Sequence, residues 1–254
     1  MFAEERQNMI VSLVNKKGSV RVKDLSEQFE VTEDCIRKDL TLLEKKGLLR
    51  KMYGGAVKKR VNVYDFDVSQ RREKNIEAKQ SIAEKAFDII KDGDMIFLDI
   101  STANLELAKM LVQSSKTLTV VTNMIDIMNV LMAPSNVQLI FIGGTFGRGR
   151  DGFIGSFTIN QLSAFRFDIA FLGNVGVDLY DNSVATYMME DGLTKKAIMD
   201  ASKRCYMMLE TRKFNTDGTY KYARVDDFTG AIMDMPPSAD FDEKMREFDL
   251  DWIV

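Results

Sequence analysis

Five short apolar runs, MIFL at 95–98, LTVV at 118–121, QLIFI at 138–142, IAFL at 169–172 and YMML at 206–209, constrain this chain more than any other feature. Each is too short for a helix, carries no polar alternation, and is separated from the next by a stretch of helical periodicity. That β-α-β rhythm predicts an α/β fold with a parallel sheet covered on both faces, because a strand buried on both sides has no polar face to show. Sheets of this kind take ligands in the crevice beyond the carboxyl ends of their strands. The residues following each run are therefore the first candidates for a site. After the first run comes Asp99-Ile100-Ser101-Thr102-Ala103-Asn104, then a helical pattern. Thr122-Asn123 follows the second run, Gly143-Gly144 the third, and Gly173-Asn174-Val175-Gly176-Val177-Asp178 the fourth, while Lys213 lies just beyond the fifth. Polar or glycine-rich exits at several neighbouring strands favour a small polar ligand. Ser101 and Thr102 stand where a helix N-terminus receives a phosphate, and equally where a plain N-cap belongs; the residues alone leave both readings open.

The first sixty residues have a different grammar. Met9, Ile10, Leu13 and Val14 recur at helical spacing through residues 4–17 and stop at Gly18; Val22, Leu25 and Phe29 make a second short helix. Thr32 is an N-cap followed by Glu33 and Asp34, and Ile36, Leu40 and Leu43 form the inward stripe of a third helix ending at Gly47. Gly54-Gly55 then turns a basic hairpin. Three helices and a basic hairpin predict a winged helix-turn-helix. With the core stripe removed, the third helix presents Thr32, Arg37, Lys38 and Thr41, a face suited to the major groove, and the hairpin offers Arg50, Lys51 and Tyr53 to the flanking phosphates.

Charge separates the two parts. Residues 1–60 hold 14 Lys/Arg against 9 Asp/Glu, and residues 61–254 hold 21 against 29. A basic module joined to an acidic body is the asymmetry expected when one end meets a polyanion. The absence of histidine excludes Ser-His-Asp and Cys-His nucleophilic catalysis and any metal site that needs imidazole. Cys35 and Cys205 are too far apart in sequence for a redox pair or zinc knuckle, and both are expected to be reduced, buried and apolar in behaviour. No cofactor and no metal are expected. No apolar run reaches a membrane span and the first residues lack an apolar leader core, so the expectation is a cytoplasmic protein without membrane contact. The GxGxxG run at 147–152 neither follows a strand directly nor opens a helix, so it reads as a mobile loop whose Arg148 and Arg150 are candidates to touch an anion, and not as a dinucleotide fingerprint.

The segment from Glu4 to Val57 resembles the DNA-binding domain of the DeoR family of transcription regulators. Arg6 matches an arginine near the start of that family's first helix, and Val31-Thr32-Glu33-Asp34-Cys35-Ile36-Arg37-Lys38-Asp39-Leu40 matches its recognition helix, with Thr32, Cys35 and Lys38 departing from the usual Ser, Thr and Arg. Lys38 keeps the charge but not the planar fork of a guanidinium. Residues 71–234 are similar to the family's sensor domain, a Rossmann-like fold related to phosphosugar isomerases, in the stretches from Arg71 to Thr102, VVTN, IGG, FDIAFLG and Lys213-Phe214. The resemblance implies a phosphorylated sugar effector, with phosphate contacts from Ser101, Thr102 and Lys213 and sugar contacts from Asn123, Asp178 and Glu190. Asp99, Gly143 and Gly144 join the effector-binding candidates from their places at strand exits.

The organisation expected is a winged helix-turn-helix over 1–57, a linker over 58–70 and an effector-binding and oligomerisation domain over 71–254. The function expected is sequence-specific regulation, as a repressor of sugar metabolism genes, by a dimer or tetramer on double-stranded operator DNA. A phosphosugar isomerase-type enzyme carrying an added DNA-binding module is the alternative, with Asp99, Asp178 and Glu190 as its carboxylates. A third reading makes the first sixty residues a protein-docking module.

Overall fold

The computed structural model describes residues 2–58, 61–62, 71–147, 149 and 151–254. They divide into two compact units, Met1–Val61 with Pro237–Glu247, and Asn62–Pro236 with Phe248–Val254. The residues expected to form a linker lie mostly outside the described residues.

The first unit is a winged helix. Helix α1 (Ala3–Lys17) ends at Gly18, whose φ of 84° is open to glycine at little cost; α2 (Val22–Phe29) and α3 (Glu33–Lys45) follow. The Thr32 hydroxyl accepts the Cys35 N–H at 3.3 Å and so caps α3. Ile10, Val14, Val22, Leu25, Phe29, Ile36, Leu40 and Leu43 close the core, each worth about 1.5–3 kcal/mol when fully buried. Two features depart from the sequence reading. Met9, placed with the inward residues, is 46% exposed, because it falls on the flank of the stripe set by Ile10 and Val14. Ser19–Arg21, read only as a connection, is a strand, β1, that pairs antiparallel with Gly55–Lys58 (β3), which also pairs with Leu49–Met52 (β2). A Cβ at Gly55 would lie 2.1 Å from the Val20 carbonyl oxygen, so the β1–β3 pairing requires glycine there.

Pro237–Glu247 belongs to this unit too. Its helix Ala239–Met245 buries Phe241 and Met245, and Glu243 pairs with Arg21 on the surface. The pairing was not legible in a segment so distant in sequence.

The second unit carries a seven-stranded parallel sheet in the order Asp251–Ile253, Gly230–Met233, Ser202–Leu209, Phe167–Gly173, Met95–Leu98, Leu118–Thr122, Val137–Phe141. The five apolar runs are its five consecutive strands from one edge. Gly230–Met233 and Asp251–Ile253 were not anticipated, the second because three residues give no periodicity to read. In the central strands Ile96, Phe97, Leu98, Ile169, Ala170, Phe171 and Leu172 are all fully buried, which is why no alternation appears. Chain order reverses between Met95–Leu98 and Phe167–Gly173: connections from the first run outward one way, those from the second the other. That is the switch point where the strand-end loops part and leave a crevice.

Smaller sheets accompany this frame. Gly176–Asp178, Ser183–Thr186 and Tyr220–Ala223 form an antiparallel sheet, and Thr145–Gly147 pairs with Gly152–Ile154. Gly147 and Gly152, the two ends of the glycine-rich run, are therefore paired across the two strands, and Arg148 and Arg150 lie outside the described residues. Cys205 is buried, which together with the neighbouring Ser202, Lys196 and Asp200 leaves its thiol at about 11; Cys35 is only half-buried, because it sits beside the inward stripe of α3 and not on it. Among the described residues no helix is long and apolar enough to cross a membrane.

Candidate functional site

The outward face of α3 assembles as a shallow basic surface lined by Asp34, Arg37, Lys38, Thr41, Leu42 and Lys45. Thr32, Arg37, Lys38 and Tyr53 are exposed, and Tyr53 stands fully out at the hairpin tip. Thr41, Arg50 and Lys51 are half-buried. Lys51 Nζ donates to the Thr41 hydroxyl at 2.7 Å, and the Lys51 N–H donates to Glu44 at 2.7 Å, so the hairpin is fastened to the helix at two points. Arg37 folds back on Asp34 at 2.8 Å and Glu33 at 2.5 Å. These are surface pairs, worth about 0–1 kcal/mol, and a phosphate or guanine edge competes with them easily. Lys45 and Leu42 were missed in the sequence; Lys45 follows Lys38 and Thr41 at i+7 and i+4, a spacing that would have found it.

Beneath this face lies a pairing that sequence reading left unconnected. Arg6 Nε donates to Asp39 at 2.6 Å and Gln7 Nε2 donates to the other oxygen at 2.9 Å, with Arg6 and Asp39 both more than nine-tenths buried. The hydrogen bond from Arg6 holds its guanidinium firmly charged against the cost of burial. The pair bolts α1 to α3 and fixes the angle at which the recognition helix is presented.

The second unit opens a cavity of about 270 Å3 at the carboxyl ends of its three central strands. Ile100, Ser101, Thr102 and Ala103 line it from the exit of Met95–Leu98; Gly173, Asn174 and Val175 from that of Phe167–Gly173; Met208, Glu210, Arg212, Lys213 and Thr216 from Ser202–Leu209 and its sequel. Arg71, Lys74, Asn75 and Lys79 close another side, and Thr186, Tyr187, Asp191 and Lys195 a third. Six of the lining residues are cationic and two, Asp191 and Glu210, anionic. Such an excess in a concave low-dielectric wall focuses a positive potential and favours an anion.

Its charges are held rather than loose. Glu210, 5% exposed, accepts Arg212 Nε at 2.8 Å, Arg212 Nη2 at 3.0 Å and Asn75 Nδ2 at 2.8 Å. Burial works to raise its carboxyl, but Lys213, Arg212 and Asn75 outweigh that and hold it at about 2. Burial, with Arg212, Arg71 and Lys79 adding to it, brings Lys213 down to about 8 against the opposing pull of Glu210. Lys79 donates to the carbonyls of Arg71 and Lys74 and curls that segment over the cavity; burial lowers its own ammonium. Asn75 has φ 53°, a left-handed position that asparagine tolerates. The side chain of Asn174 is buried with its Oδ1 unpartnered, an acceptor that costs about 1–3 kcal/mol until something donates to it.

Of the sequence-predicted effector residues, Ser101, Thr102 and Lys213 line this cavity. The Ser101 hydroxyl accepts the Asn104 N–H at 3.1 Å, so it caps the helix Thr102–Gln113 at the cavity wall. A Cβ at Gly173 would come 2.5 Å from that of Ser101, so the close approach of the two strand exits demands glycine. Asp99, Asn123, Gly143, Gly144, Asp178 and Glu190 are not among the lining residues. Asp99 is buried beneath the floor, where it receives the Gly173 N–H at 2.9 Å and the Lys195 ammonium; burial pushes its carboxyl up and Lys195 opposes. Asn123 Nδ2 holds the Phe153 carbonyl at 2.8 Å, Gly143 offers its carbonyl to Thr158, and Asp178 accepts the N–H groups of Tyr180 and Asp181. Glu190 is exposed on the first turn of Met189–Asp200. Asn174 belongs to a strand exit already singled out, whereas Arg71, Lys74, Asn75, Lys79, Lys195, Glu210 and Arg212 line the cavity without having been named as candidates. Four of them precede the first strand, where strand-exit reasoning does not look.

The chain matches two family models, a DeoR-like helix-turn-helix domain over residues 6–60 and a DeoR C-terminal sensor domain over residues 74–235. It is 31% identical over 238 residues to the glycerol-3-phosphate regulon repressor of Escherichia coli strain K12, covering 93% of each chain. It is 30% identical to the lactose phosphotransferase system repressor of Staphylococcus epidermidis, covering 91% of each, and 27% identical to the putative aga operon transcriptional repressor of Escherichia coli O157:H7, covering 98% of this chain and 93% of that one. Among solved structures it is similar to a ribose 5-phosphate isomerase A from Methanocaldococcus jannaschii at 15% identity and a TM-score of 0.41, over 55% of each chain. With the winged helix and the sensor sheet both matched over most of their length, the chain belongs to the DeoR family of transcription regulators.

Proposed function

We propose that this protein is a sequence-specific repressor of sugar metabolism genes, and that a phosphorylated sugar or polyol in the sensor cavity sets its affinity for operator DNA. One observation carries the reading: a cavity lined by six cations at the strand switch point, in the same chain as an exposed basic recognition helix. The relatives named for glycerol-3-phosphate, lactose phosphotransferase and aga regulons support it. The carboxylates expected of an isomerase, Asp99, Asp178 and Glu190, lie outside the cavity lining, and the two within it are engaged, Glu210 by Arg212 and Asn75 and Asp191 by Thr186, which favours a sensor over a catalyst. Two copies on paired half-sites belong to this proposal, since helix-turn-helix modules read two-fold operators. An effector releases or recruits the DNA only by its differential affinity for two states of the protein, each tenfold in coupling being worth about 1.4 kcal/mol.

Thermal unfolding with a panel of sugars tests the ligand class. Phosphorylated sugars are expected to raise Tm and their dephosphorylated counterparts to leave it unchanged. Equal shifts from both would end the reading.

Two further outcomes are expected. Arg37→Ala weakens operator binding by about 1–3 kcal/mol and leaves effector binding intact, measured by anisotropy of a labelled duplex at fixed salt. The affinity for a phosphate monoester depends on pH with a definite sign. Lys213 has its free-site pKa at about 8, and a bound dianion raises it, so binding takes up a proton once the pH passes about 8 and affinity falls from there upward. At the other end the ester loses its second charge below about pH 6, and affinity falls again. Calorimetric titration at pH 5, 7 and 9.5 should find the tightest binding at 7; a profile that keeps rising to 9.5 would exclude Lys213 as a ligand.

A further inference from the structure

Glu210 is the anomaly of the cavity. A site shaped for an anion ordinarily keeps carboxylates away from its cations, yet here a buried carboxylate occupies the middle of them. Its two oxygens take the guanidinium fork of Arg212 and the amide of Asn75, and Lys213 Nζ stands 3.9 Å away. All three donors line the cavity. Arg212, with its side chain 52% exposed against 17% for Lys213, has room to move. Phosphate and carboxylate ask for the same planar fork, and Arg serves both bidentately.

We propose that Glu210 is a built-in competitor for the effector's phosphate: in the empty cavity its carboxylate holds Arg212 and Asn75, and an incoming phosphate monoester must draw Arg212 away from it. The inference rests on the phosphorylated-ligand reading above and adds which residue limits its affinity. Two consequences follow from the chemistry. First, the empty site is kept intact, since cations crowded without Glu210 would repel one another. Second, the site rejects weak or singly charged anions, because only a ligand of greater charge than a carboxylate gains from the exchange. Asp191, the other acid of the lining, does not fill this role: it is engaged with Thr186 and stands 3.9 Å from Lys195.

The test is Glu210→Gln in the full chain, titrated with inorganic phosphate and with glucose 6-phosphate at pH 7. The amide keeps the shape and one acceptor oxygen but removes the competing charge. Affinity for both probes is expected to rise at least tenfold while Tm without ligand falls. A role as a direct acceptor of sugar hydroxyls predicts the reverse for glucose 6-phosphate, a loss of affinity, and that result, or no change, would overturn the proposal. Lys213 also loses its raising neighbour, so the alkaline fall in affinity should begin below pH 8 under either role; the gain in affinity at pH 7 is what separates competition from a purely structural role, which predicts no gain. If the variant does not fold, the wild-type protein still decides. The Arg212 Nε–H resonance, assigned by its loss in Arg212→Lys, should shift as phosphate saturates the site, and a resonance that stays fixed refutes the exchange. Binding by the wild type with no gain in the variant sinks this inference alone, whereas no binding of either probe by wild type and variant alike sinks the ligand reading with it.

Discussion

Replacing Lys195 by methionine is expected to cost about 3–5 kcal/mol of stability, the largest effect of any single change in the sensor unit. Lys195 is 3% exposed and its ammonium reaches Asp99, itself 1% exposed, with Asp191 at 3.9 Å. Methionine fills the space but leaves two buried carboxylates facing each other with no cation between them. The desolvation of a charge in such a place is repaid only by its partner, and the partner is gone. With about 2–4 °C lost per kcal/mol in a unit of this size, the melting transition should drop by about 6–20 °C. Adding Asp99→Asn should restore at least half of the loss, because it removes one of the two stranded carboxylates and leaves Asp191, which keeps the Thr186 hydroxyl, without a like charge facing it. The asparagine also keeps an oxygen for the Gly173 N–H, which Asp99 now accepts at 2.9 Å. A single variant melting within about 2 °C of the wild type would mean that the floor of the cavity is not built on this pair.

The second large effect is expected in the other unit. Asp39→Ala strands the Arg6 guanidinium in the seam between α1 and α3, where it now meets Asp39 at 2.6 Å, and about 3–5 kcal/mol should again be lost. Here the consequence for function differs. A winged helix of this length has little stability to spare, so DNA binding should vanish, while ligand-induced stabilisation of the sensor unit persists. Hydrogen exchange read separately over 3–45 and 95–209 separates the two: fast exchange in the first range with protection retained in the second is the expected pattern. Equal loss of protection in both would contradict the division into two compact units.

These two pairs also mark where sequence reading reached its limit. Asp39 and Arg6 were each visible as part of a motif, but nothing in the spacing of 33 residues indicated that they meet. Lys195 lies within a helix whose polar residues look solvated, and only the packing of that helix over the strand exit buries it. The same holds for Asp99, legible as a strand-exit acid and therefore a candidate for ligand contact, yet sealed below the cavity by Gly173 and Lys195. Ser101, Thr102 and Lys213, at positions that follow from the strand rhythm, were named in advance and line the cavity. Arg71, Lys74, Asn75 and Lys79 were not named, because they precede the first strand and reach the cavity by a fold of the chain that periodicity does not encode.

What the sequence determined by itself is everything that depends on near neighbours: the amphipathic stripe of α3 and its Thr32 cap, the apolar runs that become the middle of the sheet, and the basic character of one module against the acidic body. Local spacing dictates these, since a helix or strand hides its apolar side wherever it lies. Tertiary structure alone decided which charges are buried together, which acid stands among the cations of the cavity, and which of the polar strand-exit residues face it. Such meetings join segments tens to hundreds of residues apart, as Asn75 joins Glu210 and Arg21 joins Glu243. Their energy comes from desolvation and charge at short range, and those terms exist only after the chain has closed.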